Sequence, residues 1–224
     1  MRAMERFFNT AGPPNLAEHY VLDPLLRWNL PEVLTLISQR KYFLLHAPRQ
    51  TGKTTCLLAL CDYLNQQGDM HCVYINVEEA QASVEDMAEG IRAMLDALAQ
   101  QCEWTLQDDF VTQHWQQHLS VSGPMRAFGR VVSAWCHHSS KPIVLLIDEA
   151  DALVGKTLIS LLRQLRAGYI SRTKIPFAHS VVLCGLRDIR DYRVNPEDRV
   201  ELQRLAAAGS PFNVKSNSLR LGDF

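Results

Sequence analysis

The richest chemistry in the chain sits in Ala47-Pro48-Arg49-Gln50-Thr51-Gly52-Lys53-Thr54. These residues follow the apolar run Tyr42-Phe43-Leu44-Leu45 and open the helix-like run Thr55-Cys56-Leu57-Leu58-Ala59-Leu60. Strand, tight loop and helix N-terminus, in that order, make a cradle for phosphate groups. Backbone N–H groups and the positive end of the helix dipole hold the charge that a polyphosphate otherwise shares with water. The candidate nucleotide-binding residues are Pro48, Arg49, Gln50, Thr51, Gly52, Lys53, Thr54 and Thr55. Gly52 has no Cβ, so the main chain can come close to the phosphates. Lys53 would reach the β- and γ-phosphates, and the Thr54 hydroxyl would ligate Mg²⁺. Ala47 stands where the pattern has its first glycine, and alanine takes positive φ less readily. The strand before and the helix after raise the stretch above a chance Gly-Lys-Thr and predict a chain that binds a nucleotide.

A second chemical feature lies 95 positions beyond Lys53 (148 minus 53), where Ile143-Val144-Leu145-Leu146-Ile147 ends in Asp148-Glu149-Ala150-Asp151. An acid at the tip of a strand beside a phosphate loop holds Mg²⁺, usually through water, and Asp148 fits that role. Glu149 points differently and is the candidate general base that polarises an attacking water, a contribution of roughly 10²–10⁴-fold in rate. The structural alternative for such a doublet is a helix N-cap followed by a first-turn acid. The phosphate loop upstream favours the catalytic reading.

The elements that must position these residues follow from periodicity and breakers. Residues 1–30 are irregular, punctuated by Gly12, Pro13, Pro14 and Pro24, and are expected to pack near the nucleotide. Pro31 fits the first turn of a helix to about Gln39, with Val33, Leu34, Leu36 and Ile37 on its apolar side. A strand at 41–46 leads into the loop, and the next helix runs to about Gln66, stopping at Gly68-Asp69. Met70 to Val77 is rich in β-formers and reads as a strand. Val84, Met87, Ile91, Met94, Leu95 and Leu98 recur at helical steps, predicting an amphipathic helix of about twenty residues. Residues 102–124 give no clear element, although they hold Trp104, Phe110 and Trp115. A helix is expected over 125–138 after Gly123-Pro124, and a doubly buried strand over 143–147. Leu158, Leu161, Leu162 and Leu165 mark a helix ending near Gly168. Ser180 to Leu186 and Phe212 to Ser216 read as the last strands. Strands alternating with helices imply right-handed crossovers and a parallel sheet covered on both faces.

Bulk properties narrow the function classes. The 224 residues, 47% of them apolar, suffice for one sizeable domain. Charge is balanced, 23 basic against 24 acidic residues, so no overall basic field favours non-specific nucleic-acid binding. The six cysteines are scattered without a Cys-x-x-Cys pair, which points to reduced thiols rather than disulfides or zinc. The N-terminus lacks the apolar core of a signal peptide, and no run approaches membrane-spanning length. The expectation is a soluble, cytoplasmic chain with no membrane partner.

Taken together, APRQTGKTT after a strand, IVLLIDEAD, and VVLCGLRDIRDY resemble the AAA-like ATPases of the additional-strand, catalytic-glutamate division of P-loop NTPases. More narrowly they resemble bacterial AAA-like ATP-binding proteins, over nearly the whole chain from about Phe8. The resemblance implies a three-layer α/β P-loop NTPase core over 31–224, with a central, mostly parallel five-stranded sheet of order 5-1-4-3-2. It implies ATP as the nucleotide, and the roles given above for Lys53, Thr54, Asp148 and Glu149. The division places a polar sensor after the strand at 180–186, where Arg187 is the candidate; a surface arginine paired with Asp188 or Asp191 is the alternative. In such domains the segment before the sheet often contacts adenine, so Tyr20 is either a base-stacking residue or a core tyrosine. In the resembling proteins a segment like 218–224 leads into a helical lid. The sequence reaches only that threshold, so the expectation is a core whose lid is missing and whose hydrolysis is slow for want of water exclusion.

Other signals carry less. His114 and His118 would share a helix face, but no third zinc ligand is near in sequence. Arg163, Arg166 and Arg172 form either a basic edge or a solvated helix face. Arg199 and Arg204 are weak candidates for an arginine supplied to a neighbouring subunit. The leading expectation is Mg²⁺-dependent ATP hydrolysis coupled to a conformational switch, with a protein partner or homo-oligomer. The alternatives are a nucleotide-dependent regulatory scaffold with negligible turnover and an ATP-dependent DNA-acting protein, the latter disfavoured by the balanced charge.

Overall fold

Four apolar segments line up side by side because their side chains can be buried on both faces at once, and a shorter fifth strand, with Arg220 exposed, lies at one edge. The computed structural model describes residues 6–9, 12, 14–15, 17–83, 86–153, 155–185, 199–200, 203–204 and 218–221. Strands β1 (Tyr42–His46), β2 (His71–Asn76), β3 (Ile143–Asp148), β4 (Ser180–Gly185) and β5 (Ser218–Arg220) form a parallel sheet of order β2-β3-β4-β1-β5. Counted from the other edge, this is the 5-1-4-3-2 order that the resemblance implies. The two-residue period divides each of β1 to β4 between two cores. Tyr42, Leu44, Val73, Ile75, Leu145, Ile147, Val181 and Leu183 join one, and Phe43, Leu45, Cys72, Val144, Leu146, Val182 and Cys184 the other.

Helices α1 (Leu30–Ser38) and α2 (Lys53–Gln67) cover the second core with Val33, Ile37, Leu57, Leu60 and Leu64. Helices α3 (Met87–Leu106), α4 (Phe110–Ser122), α5 (Pro124–His138) and α6 (Lys156–Ser171) cover the first. Among the described residues no helix is long and apolar enough to cross a membrane. The six cysteines are free thiols, five of them buried, and burial pushes Cys56 up to about 11 and Cys136 up to about 12.

Several boundaries differ from the sequence expectation for physical reasons. Residues 102–124, which give no clear element in the sequence, are the end of α3 and all of α4. The break between them is made by Gln107, which takes a left-handed φ of 56° and donates its N–H to the Cys102 and Glu103 carbonyls. A left-handed glutamine carries no compositional signal. The Trp135 indole then donates to Asp108 at 2.8 Å, tying that turn to α5. Helix α6 runs through Gly168 to Ser171, so Gly168 is not a stop. It is a notch: a Cβ there would lie 2.3 Å from the Phe177 ring. The last strand is Ser218–Arg220, paired to β1; the stretch expected as a strand at 212–216 lies outside the described residues, as do Val84 and Leu186.

Candidate functional site

The parallel sheet brings the C-terminal ends of β1, β3 and β4 to one edge, where open α/β sheets place their ligands. The end of β1 feeds the loop at residues 47–52. Ala47 is buried and donates its N–H to the Gly185 carbonyl at 3.3 Å, at the end of β4. Its φ is not positive; the left-handed positions are Gln50 at 60° and Gly52 at 78°. Alanine in place of the first glycine is therefore unstrained, and the concern raised by Ala47 is removed. Strain instead falls on Gln50, about 1–2 kcal/mol for an L-residue in that region, which is where functional loops tend to store it.

The loop is held from within and from outside. The Pro48 carbonyl accepts from the Thr51 hydroxyl at 2.8 Å and from the Lys53 ammonium at 3.1 Å. Lys53 is only 5% exposed. Arg49 and Gln50 are exposed at the loop apex. Gly52 is the N-cap of α2 and carries no side-chain cap, which leaves the first-turn N–H groups, with the dipole behind them, to an anion. Thr54 and Thr55 lie in that first turn.

Asp148 ends β3 and is fully buried. Its Oδ2 accepts from the Thr54 hydroxyl at 2.7 Å and from the Tyr74 hydroxyl at 3.1 Å, and its Oδ1 accepts from the Glu149 N–H at 2.9 Å. All three donors are neutral, and among the described residues no ion pair reaches the carboxylate. A buried charge is stable only when paired or coordinated. The donor set therefore fits a hard divalent cation between the Asp148 carboxylate and the Thr54 hydroxyl.

Glu149 takes a left-handed φ of 54° and opens the 3-10 turn Ala150–Ala152 without a side-chain cap bond. Burial first, then the Asp148 and Asp151 charges, raise its carboxyl above the ordinary glutamate range, with Lys53 pulling the other way.

Two residues at this edge have no signature in the sequence. Tyr74 reaches Asp148 only because β2 pairs with β3 in a register that sets Asn76 opposite Asp148. Burial and the neighbouring Asp148 raise its phenol strongly. Arg27 belongs to the 3-10 turn Pro24–Arg27, whose N-cap Asp23 accepts from the Leu25 N–H. Its guanidinium donates to the Thr51 carbonyl at the loop apex. Cys184 on β4 is buried beside both motifs, and burial and the Asp148 charge push its thiol well up.

Arg187 lies outside the described residues. Tyr20 is 55% exposed and lies against Phe8, so it is not a core tyrosine. The His114 Nδ1–H donates to the Phe110 carbonyl, and its ring stacks on the Phe110 ring, which also stacks on His138. Among the described residues no group of His, Cys, Asp or Glu has the makings of a metal site of its own. Arg172 donates to the Arg40 carbonyl and lies over the Tyr169 ring.

Comparison with known proteins bears on this edge of the sheet. The family model described as AAA domain matches residues 36–192. No curated protein matches the chain. Among solved structures, the Walker-type ATPase of Pyrococcus abyssi superposes with a TM-score of 0.54 at 16% identity, covering 87% of this chain and 52% of its own. Cdc6p from Pyrobaculum aerophilum gives 0.48 at 15% identity, covering 86% and 44%. The Aeropyrum pernix Orc1 protein, solved in complex with DNA, gives 0.49 at 18% identity, covering 90% and 44%. The chain thus spans about half the length of these structures. With its family match covering most of the sheet and both motifs, the chain belongs to the AAA domain family, the AAA-like P-loop ATPases, whose shared chemistry is ATP binding and hydrolysis.

Proposed function

We propose that this chain binds ATP with Mg²⁺ at the edge formed by β1, β3 and β4, and that hydrolysis there drives a conformational switch. One observation carries the reading: the Thr54 hydroxyl and the Asp148 carboxylate, 94 residues apart, meet at 2.7 Å. A hydroxyl from the first turn of α2 and a carboxylate from the tip of β3 form the oxygen pair that a magnesium–triphosphate complex needs. Bound Mg²⁺ would neutralise charge on the phosphate oxygens as the terminal bond breaks.

The chain's own groups do the rest. Lys53 would exchange the Pro48 carbonyl for phosphate oxygens, giving up a neutral acceptor for a charged one, which makes the stronger bond. Backbone N–H groups from Pro48 to Thr55 (the proline excepted) and the α2 dipole would hold the remaining oxygens. Glu149 would take the proton of the attacking water, and burial with the neighbouring Asp148 charge raises its carboxyl, which makes it a stronger base than an ordinary glutamate. Arg187 would stand two residues beyond Gly185, whose carbonyl bonds the start of the loop, so its position in sequence supports a γ-phosphate sensor. The segment before residue 31 would brace the site through Arg27. A protein partner or a second copy of the chain would read the switch.

The test uses two substitutions. Lys53→Ala should abolish nucleotide binding, while Glu149→Gln should retain binding and lose turnover by about 10²–10⁴-fold. Equal ATP affinity for the wild type and Lys53→Ala would refute the assignment. ATP retained intact by the wild type through a single-turnover assay would leave binding standing and remove hydrolysis.

A further inference from the structure

At the other end of the sheet, where β1, β3 and β4 begin, a cavity of about 190 Å³ is lined by Arg40, Lys141, Arg172, His179 and Cys136 against an apolar wall that includes Phe177. Among the described residues no carboxylate lines it. Among the described residues no ion pair involves its three permanent cations.

The rim is cross-linked. The Tyr42 hydroxyl donates to the Ala178 carbonyl at 2.9 Å, the Ser180 hydroxyl to the Lys41 carbonyl at 2.6 Å, and the His179 N–H to the Ile143 carbonyl at 2.7 Å. The Arg172 guanidinium donates to the Arg40 carbonyl at 2.6 Å and lies 3.8 Å from the Tyr169 ring centroid. Its plane is thereby fixed before any ligand arrives. The His179 Nε2 is buried with no hydrogen-bond partner, a condition native structures rarely leave uncompensated.

We infer that this cavity is a second binding site, for a small dianion such as free phosphate or a phosphomonoester, held by Arg40, Lys141 and Arg172 with the His179 imidazole as a further donor. Guanidinium forks match phosphate oxygens in geometry as well as charge. The volume is below that of pockets for drug-sized ligands, which excludes a whole nucleotide, and the apolar wall suits a short carbon stub. The site stands apart from the ATP reading, since β1 separates it from the phosphate loop.

The surroundings of His179 make it a reporter. Burial first and the Arg40 guanidinium next hold its imidazole below the ordinary value, with Arg172 acting the same way and the Ile37 carbonyl opposing. The Cys136 thiol, pushed up to about 12, stays neutral beside it. A dianion reverses the balance, because an opposite charge favours the imidazolium.

The experiment titrates inorganic phosphate into the full chain and follows the His179 ring by NMR, with chloride at equal ionic strength as the control. We expect its apparent pKa to rise by about one unit at saturation, which is about tenfold tighter binding to the imidazolium form. Arg40→Gln with Lys141→Gln should abolish the shift, and a thermal melt checks that this variant is folded; His179→Asn, read by calorimetry, should bind phosphate without the pH dependence. A His179 titration unchanged by phosphate, or a shift that survives the double substitution, would overturn the site. Displacement of phosphate from the same residues by a short DNA duplex would overturn its assignment to a small anion.

Discussion

Tyr74→Phe isolates how much of the proposed metal site is made by the neighbouring strand. The substitution deletes one oxygen and leaves the ring in the core beneath α2. The lost bond is a phenol donating at 3.1 Å to a fully buried carboxylate. A hydrogen bond to a charged group is worth about 1.5–3 kcal/mol. Asp148 keeps the Thr54 hydroxyl and the Glu149 N–H, so we expect the lower part of that range, about 1.5–2 kcal/mol, or a fall in Tm of about 3–8 °C for a domain of this size. The second consequence concerns Mg²⁺. Groups that orient a ligating carboxylate typically contribute about 10–100-fold in metal affinity, and with two donors remaining about tenfold is expected. The assays are thermal unfolding without nucleotide and the Mg²⁺ dependence of ATP binding. If Tyr74→Phe melts with the wild type and needs no more Mg²⁺, the Tyr74 hydroxyl does not hold Asp148 and the reasoning fails.

Four further outcomes follow from the same geometry. Because the Glu149 carboxyl is raised in the folded chain, its contribution to stability is fully present below the ordinary glutamate range and is lost as pH rises through the raised value. Without nucleotide, Glu149→Gln should therefore unfold at higher temperature than the wild type at neutral pH, the difference vanishing in acid; turnover by the wild type should rise with pH over the same window. Gly168→Ala should destabilise by about 1–3 kcal/mol in urea unfolding, since its Cβ would meet the Phe177 ring at 2.3 Å. Gly129→Ala, whose Cβ would lie in ordinary contact 3.5 Å from Gln164, should instead stabilise α5 by about 0.5–1 kcal/mol. Arg27→Ala should weaken ATP binding by about tenfold, the value of one charge-assisted bond to the loop apex, measured by calorimetry; unchanged affinity would remove Arg27 from the site.

Both motifs were legible in the sequence because each is local. The loop from Ala47 to Thr54 and the doublet Asp148-Glu149 each follow an apolar strand segment, and strand, tight turn and helix start are decided by residues next to one another. Strand and helix alternation carried the parallel sheet for the same reason, since a right-handed crossover leaves few ways to assemble it. What escaped depends on residues far apart in the chain. The separation of α3 from α4 rests on a glutamine held left-handed by its surroundings, and Gly168 looked like a stop because the Phe177 ring that needs its missing Cβ lies on another segment. That Ala47 is harmless, with the left-handed positions at Gln50 and Gly52, could be read only from the backbone. Tyr74 and Arg27 touch the site through strand register and the docking of an N-terminal turn, neither of which leaves a spacing to find. The sequence alone therefore determined which candidate groups stand in the loop and at the tip of β3. Tertiary structure decided which neighbours hold them, because a hydrogen bond is set by distances of about 3 Å that only packing can impose.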